Sequence, residues 1–335
     1  MNKKVLLTGD RPTGPLHIGH YFGSLTSRVA MQEEYESYIM VADVQALTDN
    51  FNDPGKVRDS VLEVAMDNIA SGVDPKKSTL FIQSQIPQIA ELTVFFSNLV
   101  TVNTLRRNPT VKAEIAEKKD LFGQEGESVT YGFLGYPVSQ AADITIVRAD
   151  IVPVGEDQLP MLEQTREIVE RFHRIYQAEV FPLPQAKLSQ SPRILGLDGA
   201  AKMSKSLNNA IYLKDNSEET LEKIKTAKTD SGSTIEYRPK ERPEISNLVM
   251  LYALIHDKNP ADVAKNELAG ITYSAFKAKL GQDLNAYLAP IRAKRSELEQ
   301  KPHYVKEILD MGRKRVIEEA EETMKLVRSA MKINY

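Results

Sequence analysis

His17 and His20, two of the chain's five histidines, bracket Ile18-Gly19, and two lysines frame Lys202-Met203-Ser204-Lys205-Ser206. Imidazole N–H and ammonium groups are hydrogen-bond donors to anionic oxygen. The chemistry they suit is holding phosphate while charge builds on it. Gly19 has no side chain, so a flat base fits against the backbone there. A four-residue motif is weak by itself, and the competing reading has one histidine capping a helix and the other solvated.

Positioning such groups requires a particular frame. Val5-Leu6-Leu7 is a short apolar run that predicts a buried strand, and Gly9, Pro12, Gly14 and Pro15 punctuate a tight turn after it. Ile18, Phe22 and Leu25 then follow at helical spacing. A strand–turn–helix junction offers unpaired backbone N–H groups and the positive end of a helix dipole to an anion. Residues 37–41 predict a second strand, ending at Asp43-Val44-Gln45. Asn52-Asp53-Pro54 caps a helix with Val57, Val61, Ala65 and Ile69 on its apolar face, closed by Gly72. A third strand is expected at 78–82, a helix from Pro87 through Val100, and a fourth strand at 151–154 leading to a helix through Tyr176. This alternation predicts an α/β fold, a Rossmann-like doubly wound parallel sheet whose ligands bind at the strand C-terminal ends.

Leu105-Arg106-Arg107-Asn108-Pro109-Thr110-Val111-Lys112 interrupts the pattern with a basic, proline-containing segment, and a mobile loop is expected at 123–128. Beyond Leu207 the strand signals stop. Helices are expected at 215–226, 245–256, 259–269, 273–280, 283–300 and 303–331, so residues 1–206 form a catalytic domain and 207–335 an all-helical C-terminal domain. Arg292, Lys294, Arg295, Arg313, Lys314 and Arg315 cluster in the last two helices, where a solvated face is the default reading.

With 335 residues, 41% of them hydrophobic and 27% charged, the chain has the composition of a soluble globular protein. It has no cysteine, which excludes disulfides and thiolate metal sites. It also has no apolar run long enough for a membrane span or a secretory leader, which points to the cytoplasm of a bacterium. The net charge of −3 says little about nucleic acid, since a local basic patch can bind RNA on an acidic protein.

Taken together, His-Ile-Gly-His in the first strand–helix turn and Lys-Met-Ser-Lys-Ser at 202–206 resemble the class I aminoacyl-tRNA synthetases. Shorter stretches resemble the tryptophanyl-tRNA synthetase family: Ala141-Ala142-Asp143-Ile144, Val154-Gly155-Glu156-Asp157-Gln158, Glu163-Gln164-Thr165-Arg166 and Arg171-Phe172. The resemblance implies activation of L-tryptophan with ATP and Mg2+, then transfer to tRNA(Trp), by a homodimer. For ATP it implies contacts from Asp10, Arg11, Pro12, Thr13, Gly19, His20, Gly155, Glu156, Asp157, Ile194, Lys202, Met203, Ser204, Lys205 and Ser206. Lys112 lies where the family carries a loop lysine that reaches the phosphates, and with His17, His20, Lys202 and Lys205 it completes the catalytic set, which cancels phosphate charge. No metal ligand from a protein side chain is implied.

An aspartate in an apolar helical segment is costly without a partner, and Asp143 reads from the residues alone as an N-cap or half of a salt bridge. The family resemblance implies instead that it accepts the indole N–H, with Tyr136, Gln140, Gln158 and Gln45 completing the tryptophan site. Gln45 departs from the family, whose well-known members have histidine there, and His20 replaces a frequent asparagine. The anticodon is expected on the basic helices. Three alternatives share parts of the pattern: a tyrosyl-tRNA synthetase, a small nucleotidylyltransferase, and a non-catalytic RNA-binding or regulatory paralogue. The nucleotidylyltransferase lacks the lysine motif and helical tail, and retention of every motif lysine and histidine speaks against the paralogue.

Overall fold

A computed structural model describes residues 3–188, 194–205 and 207–335. β1 (Val5–Asp10), β2 (Glu36–Val41), β3 (Ser78–Ile82), β4 (Ile151–Val154) and β5 (Gln185–Leu188) form one sheet, ordered β3-β2-β1-β4-β5. Every pairing in it is parallel. Helices cover both faces, so β2 is apolar almost throughout. Its side chains alternate between two cores, Ile39 and Val41 in one, Tyr38 and Met40 in the other.

Strands β1 to β4 lie where their apolar runs predict them. β5 is an addition: it is an edge strand with mostly exposed residues, and so has no apolar signature. The strand order reverses at β1, which opens a crevice between the C-terminal ends of β1 and β4.

The basic segment at 105–112 is helical rather than a break. Thr101 and Asn108 cap the helices Val102–Arg107 and Pro109–Glu117, and Pro109 fills a first-turn position whose N–H has no intrahelical partner anyway. Residues 273–299 form one continuous helix, Tyr273–Glu299, where the sequence suggests two; Gly281 in its middle is buried against Leu221.

The core of the strand-free part is continuous with that of the sheet. Leu248, Phe276, Leu288 and Leu309 share a cluster with Ile18, Phe22, Ile39 and Leu80 from the sheet and the first helix. The last helix, Pro302–Ala330, begins in that cluster and ends in the other, with Val316, Ala320 and Val327. In between it passes over edge strand β3 at Gly312, where a Cβ would overlap the Leu80 carbonyl. The helix thereby covers a sheet edge that would otherwise be open. Gly312→Ala is expected to destabilise the protein by about 1–3 kcal/mol, the cost of overpacking. Urea unfolding at an unchanged m-value measures it; a wild-type midpoint would mean the helix does not press on β3.

The arginines of the last helices are not all a solvated face. Arg295 is 2% exposed and paired with Glu63 and Asp67, and Arg315 reaches Thr79 and Glu36 on the sheet. Arg313 and Lys314 pair with Asp310 on their own helix. Among the described residues no helix is long and apolar enough to cross a membrane.

Candidate active site

The turn after β1 carries Asp10, Arg11, Pro12, Thr13, Gly14, Pro15 and Leu16 into His17, and its ends are tied from below. Asp10 is held by Arg28, Nη1 to Oδ2 2.6 Å, and by the Asn68 amide at 3.1 Å. These cationic and amide donors hold its carboxyl down at about 2 despite burial. Asp10 is therefore a strut of the turn, its carboxylate tied to Arg28 and Asn68. At the other end, Leu16 N–H donates to Asp67 Oδ2 at 2.6 Å. Arg11 pairs with Asp49, which also holds Lys118 at 3.1 Å.

His17 precedes the helical stretch at 18–31, which contains a π-helical turn, Tyr21–Leu25. His17 N–H donates to His20 Nδ1 at 3.3 Å, and the rings lie 3.8 Å apart. Burial, the partner ring, Lys205 and Lys202 push His17 down to about 2; burial, then Lys205, pushes His20 down to about 4. Both imidazoles are thus neutral at pH 7. They are N–H donors in a field made positive by lysines, the form in which imidazole N–H groups are expected to meet phosphate oxygens. His17 Nδ1 is buried and has no hydrogen-bond partner among the described residues.

The second motif packs directly on the first. Met203 is buried, and a Cβ on Gly19 would lie 3.5 Å from its Cβ and 2.9 Å from His17 Nδ1. Only glycine there keeps ring and motif this close. Lys205 Nζ donates to the Gly14 carbonyl at 2.6 Å, and burial lowers its pKa to about 8. Met203 N–H reaches back to Ile194 O at 3.4 Å, and Ile194 itself is buried in the core. Asn209 organises the bend: its Oδ1 accepts Ser204 N–H at 2.8 Å and its amide donates to Asp198 at 2.8 Å. Asn247, from the helix Pro243–Ile255, brackets Leu195 by accepting its N–H at 2.9 Å and donating to its carbonyl at 3.0 Å. Lys202 is exposed, and Ser206 lies outside the described residues.

Across the crevice, Asn108 donates to Gln164 at 2.7 Å and the Thr110 hydroxyl to the Asp157 carbonyl at 2.9 Å. These bonds seat Lys112, exposed on the helix Pro109–Glu117, beside the turn that carries Gly155, Glu156 and Asp157.

The helix Tyr131–Ile146 places Tyr136, Gln140 and Asp143 on one face, at spacings of four and three. Asp143 is 1% exposed, lies inside the helix rather than at its N-cap, and has no salt-bridge partner among the described residues. Its partner is Gln83, at the C-terminal end of β3, whose amide donates to both carboxylate oxygens at 2.8 and 2.9 Å. Gln83 Oε1 in turn accepts Gln45 N–H at 3.0 Å, so Gln45 enters through its backbone. Burial pushes Asp143 up to about 7, with Asp43 adding repulsion. Tyr136 is buried against Val111, Phe122, Phe133 and Met161. Gln158 bonds to Asp157 at 3.4 Å rather than to Asp143. Gln83, Asp67, Asn68, Arg28, Asn209 and Asn247 carry no role in the sequence reading; only Gln83, one residue past a legible strand end, had a positional signal.

Among the described residues no group of three or more His, Cys, Asp or Glu is placed to hold a metal ion. A parallel nucleotide-binding sheet with these two basic motifs meeting over its switch point defines a class I aminoacyl-tRNA synthetase. The family described as tRNA synthetases class I (W and Y) matches residues 2–289. The chain is 46% identical to a tryptophan–tRNA ligase of Clostridium longisporum over 100% of this chain and 98% of that one. It is 45% identical to the Lactococcus lactis enzyme of the same name, over 100% and 99%. A crystal structure of Campylobacter jejuni tryptophanyl-tRNA synthetase complexed with ADP and tryptophan superposes with a TM-score of 0.84 at 31% identity, covering 98% of this chain and 99% of that one. The chain belongs to the tryptophan–tRNA ligase family.

Proposed function

We propose that this chain activates L-tryptophan and charges tRNA(Trp) as follows. The tryptophan carboxylate attacks the α-phosphorus of ATP, and pyrophosphate leaves. The terminal ribose hydroxyl of the tRNA then attacks the activated carboxyl, and AMP leaves. Neither step needs a protein nucleophile; both need in-line positioning and donors aimed at phosphate oxygens. His17 and His20 supply neutral N–H groups, and Lys202, Lys205 and Lys112 supply charge from two sides of the crevice. Mg2+ enters with the ATP phosphates. Asp157 and Glu156 face the ribose, Gly19 the base, and Asp143, held by Gln83, the indole N–H.

The observation that carries this reading is the packing of the two motifs on each other, Met203 against Gly19 and Lys205 on the Gly14 carbonyl. Residues 1–206 hold the chemistry, and 207–335 receive the anticodon through exposed basic positions such as Lys314 and Lys294, Arg295 being buried. The working unit is a homodimer in the cytoplasm.

Amino-acid-dependent ATP–pyrophosphate exchange, run with each of the twenty amino acids, tests this. Exchange is expected with tryptophan. Exchange with tyrosine in its place would refute the specificity, and none with any amino acid would refute the activity.

A further inference from the structure

The helix Pro54–Ala70 carries Asp67 and Asn68 side by side, both 0% exposed, where a helix under a parallel sheet would normally bury apolar residues. Asn68 is accounted for by Asp10, Arg28 and the Val64 carbonyl. Asp67 has two dealings of different kinds. Its Oδ2 accepts the Leu16 N–H at 2.6 Å, one residue before His17. Its Oδ1 lies 3.0 Å from Arg295 Nη1, a charge contact without hydrogen-bond geometry. Arg295 belongs to the helix Tyr273–Glu299 in the strand-free part, and its Nη2 is anchored to Glu63 Oε2 at 2.6 Å.

The segment Asp67 grips is narrow and central. Leu16 O accepts Leu213 N–H at 3.0 Å, and Ile18 N–H donates to Ile211 O at 2.9 Å, so residues 16–18 are fixed on one side by the 211–213 segment. Asp67 fixes the other side. Two residues upstream, the Gly14 carbonyl takes the Lys205 ammonium. The groups facing Asp67 are the Leu16 N–H, Arg295, Glu63 and Lys205. Burial already lifts its pKa to about 7, and Arg295 is the strongest influence opposing that rise. Without the guanidinium, Asp67 takes up a proton near neutrality. Its charge-assisted grip on Leu16 then becomes an ordinary hydrogen bond.

We propose that Arg295 is a positioning residue for tryptophan activation, acting through Asp67 on the Leu16 backbone and so on the placement of His17 and the Lys205 anchor. The assignment rests on the phosphate-binding role proposed above for those two residues. It makes the strand-free part a contributor to the chemistry, since its helix Tyr273–Glu299 reaches the backbone just before the first motif through Arg295 and Asp67.

The test compares wild type, Arg295→Met, Arg295→Lys, Asp67→Asn and the Arg295→Met/Asp67→Asn double variant in tryptophan-dependent pyrophosphate exchange. Tryptophan binding by fluorescence and thermal melting are measured in parallel. Arg295→Met is expected to lower kcat about 10-fold or more, the scale of a small misplacement of catalytic groups, while tryptophan Kd stays within about twofold. Arg295→Lys recovers part of the rate by keeping the charge. Once Asp67 is the neutral Asn, losing Arg295 adds little, so the two substitutions are strongly non-additive. A kcat for Arg295→Met within about twofold of wild type overturns the proposal, as does strict additivity in the cycle. Should Arg295→Met not fold, Asp67→Asn, nearly isosteric and still an acceptor, decides it: an unchanged kcat overturns the coupling. Absence of exchange in the wild type itself would instead remove the functional reading on which the proposal rests.

Discussion

Replacing Lys205 by alanine is expected to slow tryptophan activation by about 100-fold or more, the cost of losing one preorganised stabiliser of developing charge. Its ammonium donates to the Gly14 carbonyl at 2.6 Å and is partly buried. Burial is the main reason its pKa falls from 10.5 to about 8, while the nearby Asp10 and Asp67 pull it back up. At pH 7 the group therefore remains mostly charged but poorly solvated. An arriving phosphate repairs that deficit, and the gain is largest when charge accumulates on the departing pyrophosphate. The protonated form is the active one, so kcat/KM for ATP should fall as pH rises through about 8. That alkaline limb should be missing from Lys205→Ala. Single-turnover rates with tryptophan affinity measured in parallel check both points. Loss of tryptophan binding with an intact single-turnover rate would show that Lys205 serves the wrong substrate in this scheme.

What the sequence made legible follows from how each signal arises. Strands β1 to β4 carry buried positions in succession, and burial writes itself as apolar runs such as Val5-Leu6-Leu7 and Leu80-Phe81-Ile82. β5, at the sheet edge and mostly exposed, has no such obligation and left no trace. The two motifs were legible as residue types; the α/β alternation placed only the first at the ligand end of the sheet, and the family resemblance joined the second to it. Their protonation states were not legible. The residue types mark the imidazoles as N–H donors, and the partly or fully buried setting beside two lysines is what holds them neutral.

The polar partners that hold the site were mostly invisible because they pair across long stretches of chain. Asp67 with Arg295, Asn247 with Leu195 and Gln83 with Asp143 join elements that no periodicity connects. Arg295 illustrates the cost of the default reading: a cationic residue on a terminal helix is usually solvated, but this one is 2% exposed between Glu63 and Asp67. Asp143 shows the opposite. Its improbability in an apolar helix was the correct signal, and only the identity of its partner had to come from the fold.

That partner determines what removing Asp143 should do. Gln83 donates to both carboxylate oxygens, which uses two of the roughly four acceptor positions of an ionised carboxylate. The pair is preorganised and has acceptor capacity left for an indole N–H, which is a donor only. Asp143→Ala should therefore weaken tryptophan binding by about 2 kcal/mol or more, the scale of a charged hydrogen bond, and also orphan the buried Gln83 amide. Asp143→Asn keeps the shape and an acceptor but sets its own N–H2 against that of Gln83, so its affinity should fall between the two. Because burial lifts Asp143 to about 7, the free protein holds it protonated below that pH and ionised above. An indole donor prefers the ionised form, so wild-type affinity should decline as pH falls through about 7, and Asp143→Asn should not share that slope. An analogue with sulfur in place of the ring nitrogen should bind the wild type poorly and be nearly indifferent to either substitution. The chain contains no tryptophan, so ligand fluorescence follows all of these titrations directly. Equal tryptophan affinity in wild type and Asp143→Ala would return the Asp143–Gln83 pair to a purely structural tie between β3 and the helix Tyr131–Ile146.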